Sequence, residues 1–451
     1  MFVGRKYELK GLEDLYKKNE NGIIIIYGRR RIGKTTLVQK FLEQKQGIYF
    51  LAKESMLKEN IKALANEIAE FLKSEWFKKV DYDTFEELFV DFSNQISNTR
   101  KKIIIVIDEF PYLIKSKKEI VSEFQEIWDL YLSKLPVFLI ILGSSISVME
   151  TKVLDYKSPL YGRRIGQLKL EPLKVSEVYE FLKKPLEEVI KVYGVADGIP
   201  LYLNFFKKLA FEEALKTHVL NKGGFLNQEA IFLLRTELRE LGIYYDILKS
   251  IAFGKNKFGE ILNFTQLKST KVTAYLKNLI ELHIIQKMYP VTEKETKNAK
   301  FEFVDNYFRF WFRFIYPNLQ ALEYNKVENV LKALKSKFNQ YLGSIFEKFV
   351  KNYLFEFYDY TKIGRWWHKD KEIDIVAVDE FNNEILFGEC KWKSNVDAKK
   401  VLKELKEKAR YVQWNNETRK EKYAIFAKSF KAKTDDAMCI DLKDMERRLK
   451  I

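Results

Sequence analysis

The chain has 451 residues, a length that predicts about three domains at roughly 150 residues each. Its composition is 47% hydrophobic and 31% charged, with only 19 glycines and 8 prolines, which excludes a disordered or fibrous protein. The net charge of +16 attracts polyanions, so nucleic acid is the first partner class to expect, although general solvation of helix surfaces explains the same charge.

Cysteine usage and the absence of long apolar runs bear on location. Cys390 and Cys439 are too few for a disulfide framework or a cysteine-rich zinc site. The first residues, MFVGRKYELKG, lack the apolar core of a signal peptide, and no apolar run approaches the roughly 18 residues of a membrane helix. We therefore expect a cytoplasmic protein without a membrane partner.

The first strongly patterned stretch is a buried strand followed by a glycine-rich turn. NGIIIIYG, residues 21–28, is a β-branched run bounded by glycine, typical of a parallel strand covered on both faces. In the phosphate-loop pattern that follows, backbone N–H groups surround the phosphates, Lys34 contacts the β- and γ-phosphates, and Thr35 ligates Mg²⁺. A helix continues from the loop and directs its positive end at the same anion. The predicted ATP-binding loop comprises Gly28, Arg29, Arg30, Arg31, Ile32, Gly33, Lys34, Thr35 and Thr36.

Two further apolar runs end in residues that phosphoryl transfer requires. Lys101 to Ile107 is followed by Asp108 and Glu109, the Walker B arrangement. We expect Asp108 to hold the Mg²⁺ shell and Glu109 to polarise the attacking water. The run LPVFLIILG ends at the serine pair 144–145, which suits contact with the γ-phosphate or the water and equally suits a helix cap.

Six motifs in order resemble the archaeal P-loop ATPases of the AAA+/STAND group over roughly residues 1–240. They are FVGRKYELKGLEDLY, GRRRIGKTTL, IDEFPYL, ILGSSISVM, SPLYGRRIGQLKLEPL and ADGIPLYL. The resemblance implies that Val3 and Arg5 lie near the adenine and that Ser144 or its neighbour acts as sensor 1. It also implies a helical lid that starts at the turn before Pro200, although no arginine lies close to Pro200 to serve as a sensor 2.

The same resemblance implies a role for a pair of arginines. Arg163 or Arg164 would act as an arginine finger or a γ-phosphate sensor. A guanidinium near a γ-phosphate raises the rate by several powers of ten. Two arginines after a glycine also suit a solvated turn. Nothing in the sequence favours Arg163 over Arg164 for the role at the γ-phosphate.

The middle of the chain has the element order of a winged helix-turn-helix. Three short helical stretches from about Gly242 precede two strand-like stretches, QKMYPVT and AKFEFVD. Residues 270–282 would be the recognition helix, with Lys271, Thr273, Tyr275 and Lys277 towards the groove and TEKETKNAK as the wing tip. Packing on the ATPase core as a rigid linker is the alternative. We expect most of the aromatic stripe YFRFWFRFIYP to be core between domains, with its arginines on one face; stacking on bases is the alternative.

The C-terminal third carries acids on a helix and on a predicted hairpin. Glu347 lies on the amphipathic stretch FNQYLGSIFEKFVKNYLFEF. Asp374 lies on the first strand, residues 372–378, while Glu389 and Lys391 lie two apart on the second, residues 384–392, and so share a face. Two carboxylates and a lysine at a hairpin suit a divalent metal and an attacking water.

This arrangement resembles the PD-(D/E)XK nuclease superfamily over roughly residues 335–451. The resemblance implies that Asp374 and Glu389 ligate Mg²⁺ or Mn²⁺, that Glu347 is an auxiliary ligand, and that Lys391 is the water-orienting base or charge stabiliser. Ile373 replaces the proline usual before the aspartate. A charged surface hairpin, or a member that binds DNA without cutting it, gives the same pattern.

Together these patterns predict an α/β protein with four parts. They are a P-loop ATPase core with a parallel sheet (1–170), a helical lid (171–240), a winged helix-turn-helix (241–318) and an α/β restriction-endonuclease-like domain (319–451). We expect a protein that binds and hydrolyses ATP and acts on DNA, with a Mg²⁺-dependent nuclease-like domain and with a homo-oligomer as a further expectation. The alternative is a STAND-like signalling switch or DNA-binding transcriptional regulator without nuclease activity.

Overall fold

The chain divides into two compact units, Met1–Pro172 and Leu173–Ile451. The computed structural model describes residues 3–18, 21–238, 240–293 and 298–450. The central part of the predicted wing tip, residues 294–297, lies outside the described residues. Within the described residues, no helix combines the length and apolar character needed to cross a membrane.

The first unit is built on a five-stranded parallel sheet in the order β2-β3-β4-β1-β5. The strands are β1 (Gly22–Tyr27), β2 (Gly47–Leu51), β3 (Ile103–Asp108), β4 (Val137–Gly143) and β5 (Arg164–Lys169). Every residue of β1, β3 and β4 is buried, so both faces of the sheet are covered, which explains why these strands read as continuous apolar runs. The parallel ATPase sheet predicted from the sequence is confirmed.

The helices of the first unit connect and cover these strands. They are α1 (Lys6–Lys17), α2 (Lys34–Leu42), α3 (Leu57–Leu72), α4 (Trp76–Lys79), α5 (Phe85–Ile96), α6 (Phe110–Ser116), α7 (Ile120–Ile127) and α8 (Ile146–Val148). Because β1 lies beside β4, which in turn lies beside β3, the carboxyl ends of these three strands meet at one edge of the sheet. That edge receives the phosphate loop, the two Walker B acids and the serine pair.

The second unit begins with a run of helices that is interrupted along the chain by a small antiparallel strand pair. The helices are α9 (Val175–Leu182), α10 (Leu186–Ala196), α11 (Pro200–Lys207), α12 (Phe211–Ala214), α13 (Phe225–Glu237), α14 (Leu241–Ala252), α15 (Phe258–Thr265), α16 (Ser269–Glu281), α17 (Asn306–Phe310) and α18 (Leu319–Glu323). The strands β6 (Ile285–Met288) and β7 (Lys300–Phe303) pair with each other. The aromatic stripe that follows β7 is buried, with Trp311 fully inaccessible, as predicted.

A 31-residue helix, α19 (Val327–Phe357), leads into a second five-stranded sheet, ordered β14-β12-β10-β9-β8. The later elements are β8 (Lys362–His368), β9 (Lys371–Asp379), β10 (Glu384–Lys391), β11 (Val396–Asp397), α20 (Ala398–Ala409), β12 (Lys420–Ala427), β13 (Phe430–Ala432), β14 (Met438–Asp441) and α21 (Leu442–Leu449). The pairs β8–β9 and β9–β10 are antiparallel, while β10–β12 and β12–β14 are parallel.

The β6–β7 pair packs on the edge strand of this second sheet. The backbone N–H of Val291 donates to the carbonyl of Arg365 at 3.0 Å. The indole N–H of Trp367 donates to the carbonyl of Asn298 at 3.0 Å. A Cβ on Gly364 would approach Val291 to 3.0 Å, so this position on β8 favours glycine. The strand pair and the C-terminal sheet are therefore one packed body within the second unit.

Candidate functional site

The phosphate loop of the first unit has the backbone conformation that its glycines predict. Gly28 has φ +153°, and a Cβ there would lie 2.5 Å from the carbonyl oxygen of Leu170, so a side chain does not fit. Gly33 and Arg31 also have positive φ, at 93° and 70°. Lys34 bends back over the loop and donates from Nζ to the carbonyls of Gly28 at 2.8 Å and Arg29 at 3.0 Å.

Lys34 is almost fully buried, and this changes its acidity. Burial lowers the pKa of the ammonium to about 8, although the nearby Glu109 and Asp108 act in the opposite direction. An ammonium that is desolvated by the fold is strongly stabilised when an anion binds beside it. The loop thus presents a buried positive charge where the sequence predicts the β- and γ-phosphates.

Asp108 is held between the loop and the neighbouring strand. Thr35 Oγ1 donates to Asp108 Oδ2 at 2.8 Å, which brings the two predicted Mg²⁺ ligands together. The phenol of Tyr49, on β2, donates to the same oxygen. Burial is the larger cause of the raised pKa of Tyr49, and this hydrogen bond raises it further. A hydroxyl and a carboxylate at this spacing fit a magnesium ion that bridges to phosphate oxygens.

Glu109 is fixed in an uncommon backbone conformation at the end of β3. It has φ 57°, and its side chain accepts a 2.6 Å hydrogen bond from Ser144 Oγ. Its own N–H donates to Asp108 Oδ1 at 2.8 Å. The structure therefore connects the serine at the end of β4 to the predicted water-polarising acid.

The N-terminal segment is tied to the phosphate loop through Arg5. The Arg5 guanidinium donates to the carbonyl of Ile32 at 3.1 Å and to the carbonyl of Glu171 at 2.6 Å, and it pairs with Glu8 at 3.0 Å. Val3 is buried beside this segment. Both residues predicted to lie near the adenine thus belong to a segment that contacts the loop, and their nucleotide contacts stay a prediction.

Arg163 and Arg164 lie at the amino-terminal end of the strands, opposite the end that carries the phosphate loop. Arg164 begins β5 and pairs in register with Ile23, near the start of β1, whereas the phosphate loop follows the end of β1. Five strand residues separate the two ends, a span of about 16 Å. The Arg163 guanidinium donates two hydrogen bonds to the Asp129 carboxylate, from Nε to Oδ1 at 3.2 Å and from Nη2 to Oδ2 at 2.8 Å. The roles of Arg163 or Arg164 as an arginine finger or a γ-phosphate sensor stay a prediction.

In the second unit, the predicted acids meet on the β9–β10 pair. The register matches Gly388 with Ile375, so Glu389 and Asp374 follow on adjacent strands. Asp374 Oδ2 accepts a hydrogen bond from the Cys390 N–H at 2.9 Å. Glu389 is buried and accepts from Lys391 Nζ at 2.7 Å. Burial raises the pKa of Asp374, and the nearby carboxylate of Glu389 raises it further.

Glu347, on α19, lines the same cavity as Asp374. Burial raises the pKa of Glu347, and Asp374 adds to that effect, which places the two carboxyl groups within electrostatic range of each other. The Arg365 guanidinium lies 3.6 Å from Glu347 and opposes the shift. Two half-buried carboxyl groups that raise one another's pKa are stabilised by a nearby cation, and the Arg365 guanidinium already supplies one positive charge beside Glu347.

The number of close ligands limits what kind of metal site this is. Within the described part of the chain, no group of three or more His, Cys, Asp or Glu side chains is close enough to hold a metal ion. A cation beside Asp374 and Glu389 would therefore complete its shell with backbone oxygens, water or substrate oxygens. Lys408 Nζ also lies 3.1 Å from Glu389, so this carboxylate already has two ammonium partners.

Three contacting residues were missed by the sequence reasoning. Tyr49 gives no signal, because its contact depends on which strand lies beside β3. Lys408 lies on a helix rich in lysine and cannot be told from its solvated neighbours. Arg365 does give a signal, since it is a charged residue in the interior of a strand, between Gly364 and two tryptophans.

Comparison with known proteins supports an ATPase assignment for the first unit and the first helices of the second. Residues 2–206 match the family described as an ATPase domain predominantly from Archaea. Residues 311–401 match a family described as "Archaea bacterial proteins of unknown function". An uncharacterized protein of Methanocaldococcus jannaschii is 40% identical over 459 aligned positions, which cover 98% of this chain and 100% of that protein.

Two more similarities are local or structural. An uncharacterized ATP-binding protein of the same organism is 56% identical over 46 residues, covering 10% of this chain and 78% of that protein. A Walker-type ATPase of Pyrococcus abyssi is similar in structure, with a TM-score of 0.54, 22% identity, and coverage of 69% of this chain and 96% of that one. At that identity the likeness supports the fold alone.

Proposed function

We propose, from the premise that this chain belongs to the family of the Methanocaldococcus relative and carries an archaeal P-loop ATPase domain, that it couples ATP hydrolysis to processing of DNA. The observation that carries the ATPase part is the 2.8 Å bond between Thr35 and Asp108 beside the buried Lys34. Magnesium, when bound there, would neutralise charge on the β- and γ-phosphates.

The chain's own residues then have separate tasks in hydrolysis. Lys34 holds the β- and γ-phosphates with its ammonium, and the loop N–H groups surround them. Glu109 accepts a hydrogen bond from the attacking water and orients it. Ser144 fixes the Glu109 carboxylate through its 2.6 Å bond. Arg163 or Arg164 would reach a neighbouring molecule's γ-phosphate in a homo-oligomer.

Two variants test these roles against matched controls. Lys34→Ala is expected to abolish tight ATP binding, whereas Lys118→Ala, at an exposed lysine of the same unit, leaves it unchanged. Glu109→Gln is expected to retain ATP binding and lower hydrolysis by about 100-fold or more, as for loss of a general base. Glu119→Gln is the control for that change. ATP affinity that survives Lys34→Ala would reject the site.

For the second unit, we infer a metal-dependent nuclease-like domain preceded by a winged helix. Asp374 and Glu389 on adjacent strands, with Lys391 beside Glu389, support the nuclease-like part. On α16, Lys271 and Lys277 are exposed and available for phosphate contacts. Mg²⁺ or Mn²⁺ at the two acids would supply charge neutralisation at a phosphodiester, while Lys391 would stabilise the attacked phosphate.

Incubation with DNA tests this part. Closed circular, linear duplex and single-stranded DNA are incubated with Mg²⁺ or Mn²⁺, with and without ATP. Metal-dependent cleavage that Asp374→Asn removes and Asp370→Asn retains would support the nuclease; Asp370 is the control because its side chain is 84% exposed in the turn before β9. Cleavage that persists in Asp374→Asn would reject this site.

A second candidate function is a STAND-like switch or transcriptional regulator that binds DNA without cutting it. The specific observation in its favour is that Lys391 and Lys408 both pair with Glu389, which neutralises this acid without a metal. Binding of duplex DNA with no cleavage under any of the metal conditions would support this candidate.

A further inference from the structure

A cavity in the second unit lies where the β6–β7 pair, α17, α19 and the β8–β9 strands meet. Its volume is about 120 Å³, which has room for several ordered waters and so for a tetrahedral phosphate group. Its walls come from parts of the chain that the sequence assigns to different modules. The cavity is therefore a product of their packing.

One face of α19 supplies much of the wall. Ser344, Glu347, Lys348 and Lys351 occupy positions i, i+3, i+4 and i+7, so they lie on one face of the helix. The other charged groups come from outside α19. The charged side chains around the cavity are the cations Arg309, Lys348, Lys351 and Arg365 and the acids Glu302, Glu347 and Asp374.

The four cations differ in how well their donors are satisfied. Lys348 is saturated, with Asp197 Oδ2 at 2.7 Å and two further acceptors. Lys351 has no hydrogen-bond or ion-pair partner among the described residues, and burial lowers its pKa, with Lys348 adding to the effect. Arg365 pairs through its Nη atoms, but its Nε is buried with no hydrogen-bond partner in the described part of the chain.

These half-buried cations, one of which has a buried donor without an acceptor at its Nε, point to an anionic ligand. A buried donor without an acceptor is costly, and charged donors are the costliest. A phosphate monoester has several strong acceptor oxygens and about two negative charges, which suits Lys351, Arg309 and the Nε of Arg365. A chloride or a carboxylate would satisfy fewer of these donors.

We propose that this cavity binds a phosphate monoester, carried on the end of a nucleic-acid strand, next to Glu347 and Asp374. The proposal rests on the proposed function, because it places a strand end beside the nuclease-like acids. A volume of about 120 Å³ accommodates one phosphate group and not a duplex. The acidic site would then accept a phosphorylated strand end in preference to an internal position.

Binding by the full chain in EDTA tests the proposal without any cleavage. One short single-stranded oligodeoxynucleotide is prepared with a 5′-phosphate, with a 3′-phosphate and with hydroxyls at both ends, and fluorescence anisotropy measures its affinity. We expect one phosphorylated form to bind about tenfold more tightly than the hydroxyl form. Lys351→Met is expected to remove this preference, and Lys351→Arg to retain it.

The matched control is Lys337→Met, an exposed lysine on the same helix, which is expected to leave the preference unchanged. Thermal unfolding of each variant separates loss of the ligand from loss of the fold, and Lys351→Arg retains the test if the methionine variant does not fold. Equal affinity for all three oligonucleotides, or an equal effect of Lys351→Met and Lys337→Met, would overturn the proposal.

A free nucleotide is the other source of the same chemistry. Deoxyadenosine monophosphate is titrated into the Lys34→Ala chain, so that the phosphate loop does not compete. If the nucleotide binds as tightly as the phosphorylated oligonucleotide and its affinity depends on Lys351, the ligand is a free nucleotide. If the phosphorylated oligonucleotide binds more tightly than the nucleotide, the ligand is a strand end. Cleavage of closed circular DNA without a binding preference for phosphorylated ends would reject the cavity proposal and retain the nuclease proposal. A binding preference for phosphorylated ends without any cleavage would retain the cavity proposal and reject the nuclease proposal.

Discussion

Ser144 at the end of β4 donates a 2.6 Å hydrogen bond to Glu109, the acid that follows β3. The two strands are neighbours in the sheet, so the contact follows from the strand order. Glu109 also has a left-handed backbone conformation, with φ 57°, which turns its side chain towards the loop edge. Orientation of the predicted catalytic acid therefore depends on a residue 35 positions away in the chain.

Replacement of this serine tests whether orientation of Glu109 matters for hydrolysis. Ser144→Ala is expected to lower kcat for ATP about tenfold with little change in KM, because the acid stays present but loses its fixed position. Steady-state kinetics measure this, and Ser144→Thr should restore most of the rate. The control is Ser145→Ala at the adjacent serine. Equal rates for Ser144→Ala and the wild-type chain would show that Glu109 is oriented by other contacts.

The pH dependence of ATP affinity follows from the lowered pKa of Lys34, about 8. ATP binds the protonated ammonium, and its phosphates raise the pKa of the bound lysine. Above pH 8 the free protein must therefore take up a proton to bind. ATP affinity should fall about fivefold between about pH 8 and 9, and the fall should approach tenfold per pH unit above that range. Lys34→Arg, which keeps its charge, should remove this dependence even if its affinity is lower. A flat profile for the wild-type chain would contradict the prediction.

The first unit is predictable from sequence because its signals are local. A β-branched run, a glycine-rich loop and two acids after an apolar strand each specify their own structure and meet because parallel strands end at one edge. The contact of Tyr49 with Asp108 is not predictable in this way, since it depends on the position of β2 beside β3. The same holds for Arg163, whose distance from the loop is set by the register of β5.

The second unit shows where local signals end. The pairing of Asp374 with Glu389 follows from strand alternation and hairpin length, both of which can be read from the sequence. The position of Lys351 in a cavity that Asp374 also lines requires knowledge that the β6–β7 pair packs on β8 and closes this cavity. No periodicity in either segment encodes that contact.

Metal binding by the C-terminal acids is expected to stabilise the second unit. Millimolar Mn²⁺ should raise its unfolding temperature, because a ligand that binds only the folded state adds to its stability. Asp374→Asn should remove this increase and leave ATP binding intact, since the phosphate loop belongs to the other unit. Differential scanning calorimetry measures both, with Asp370→Asn as control. A stabilisation by Mn²⁺ that is identical in both variants would place the metal elsewhere.

DNA binding is expected to weaken strongly with salt, because a chain with net charge +16 displaces counterions from several phosphates. If α16 contacts DNA, the double variant Lys271→Ala, Lys277→Ala should lower the slope of log affinity against log salt by about two. The double variant Lys62→Ala, Lys118→Ala removes the same charge from the first unit and is the control. Equal slopes for the two variants would show that α16 makes no phosphate contact.

The ion pair between Lys348 and Asp197 is expected to be important for the stability of the second unit. Asp197 is buried, with a side chain 4% exposed, and it accepts bonds from Lys348 at 2.7 Å and from the Asn306 N–H at 2.8 Å. Lys348→Met leaves this carboxylate without a counter-charge, a change that typically costs about 3–5 kcal/mol.

An exposed ion pair on the same helix gives the matched comparison for this last prediction. Lys335 pairs with Glu212 at 2.7 Å, with side chains 56% and 47% exposed, so Lys335→Met should cost about 1 kcal/mol or less. Urea unfolding followed by tryptophan fluorescence measures both changes, because five of the seven tryptophans lie in the second unit. The double variant Lys348→Met, Asp197→Asn should recover part of the loss, because no buried charge is left unpaired. Equal costs for Lys348→Met and Lys335→Met would mean that water or another cation reaches Asp197, and that burial of this pair adds nothing to the stability of the fold.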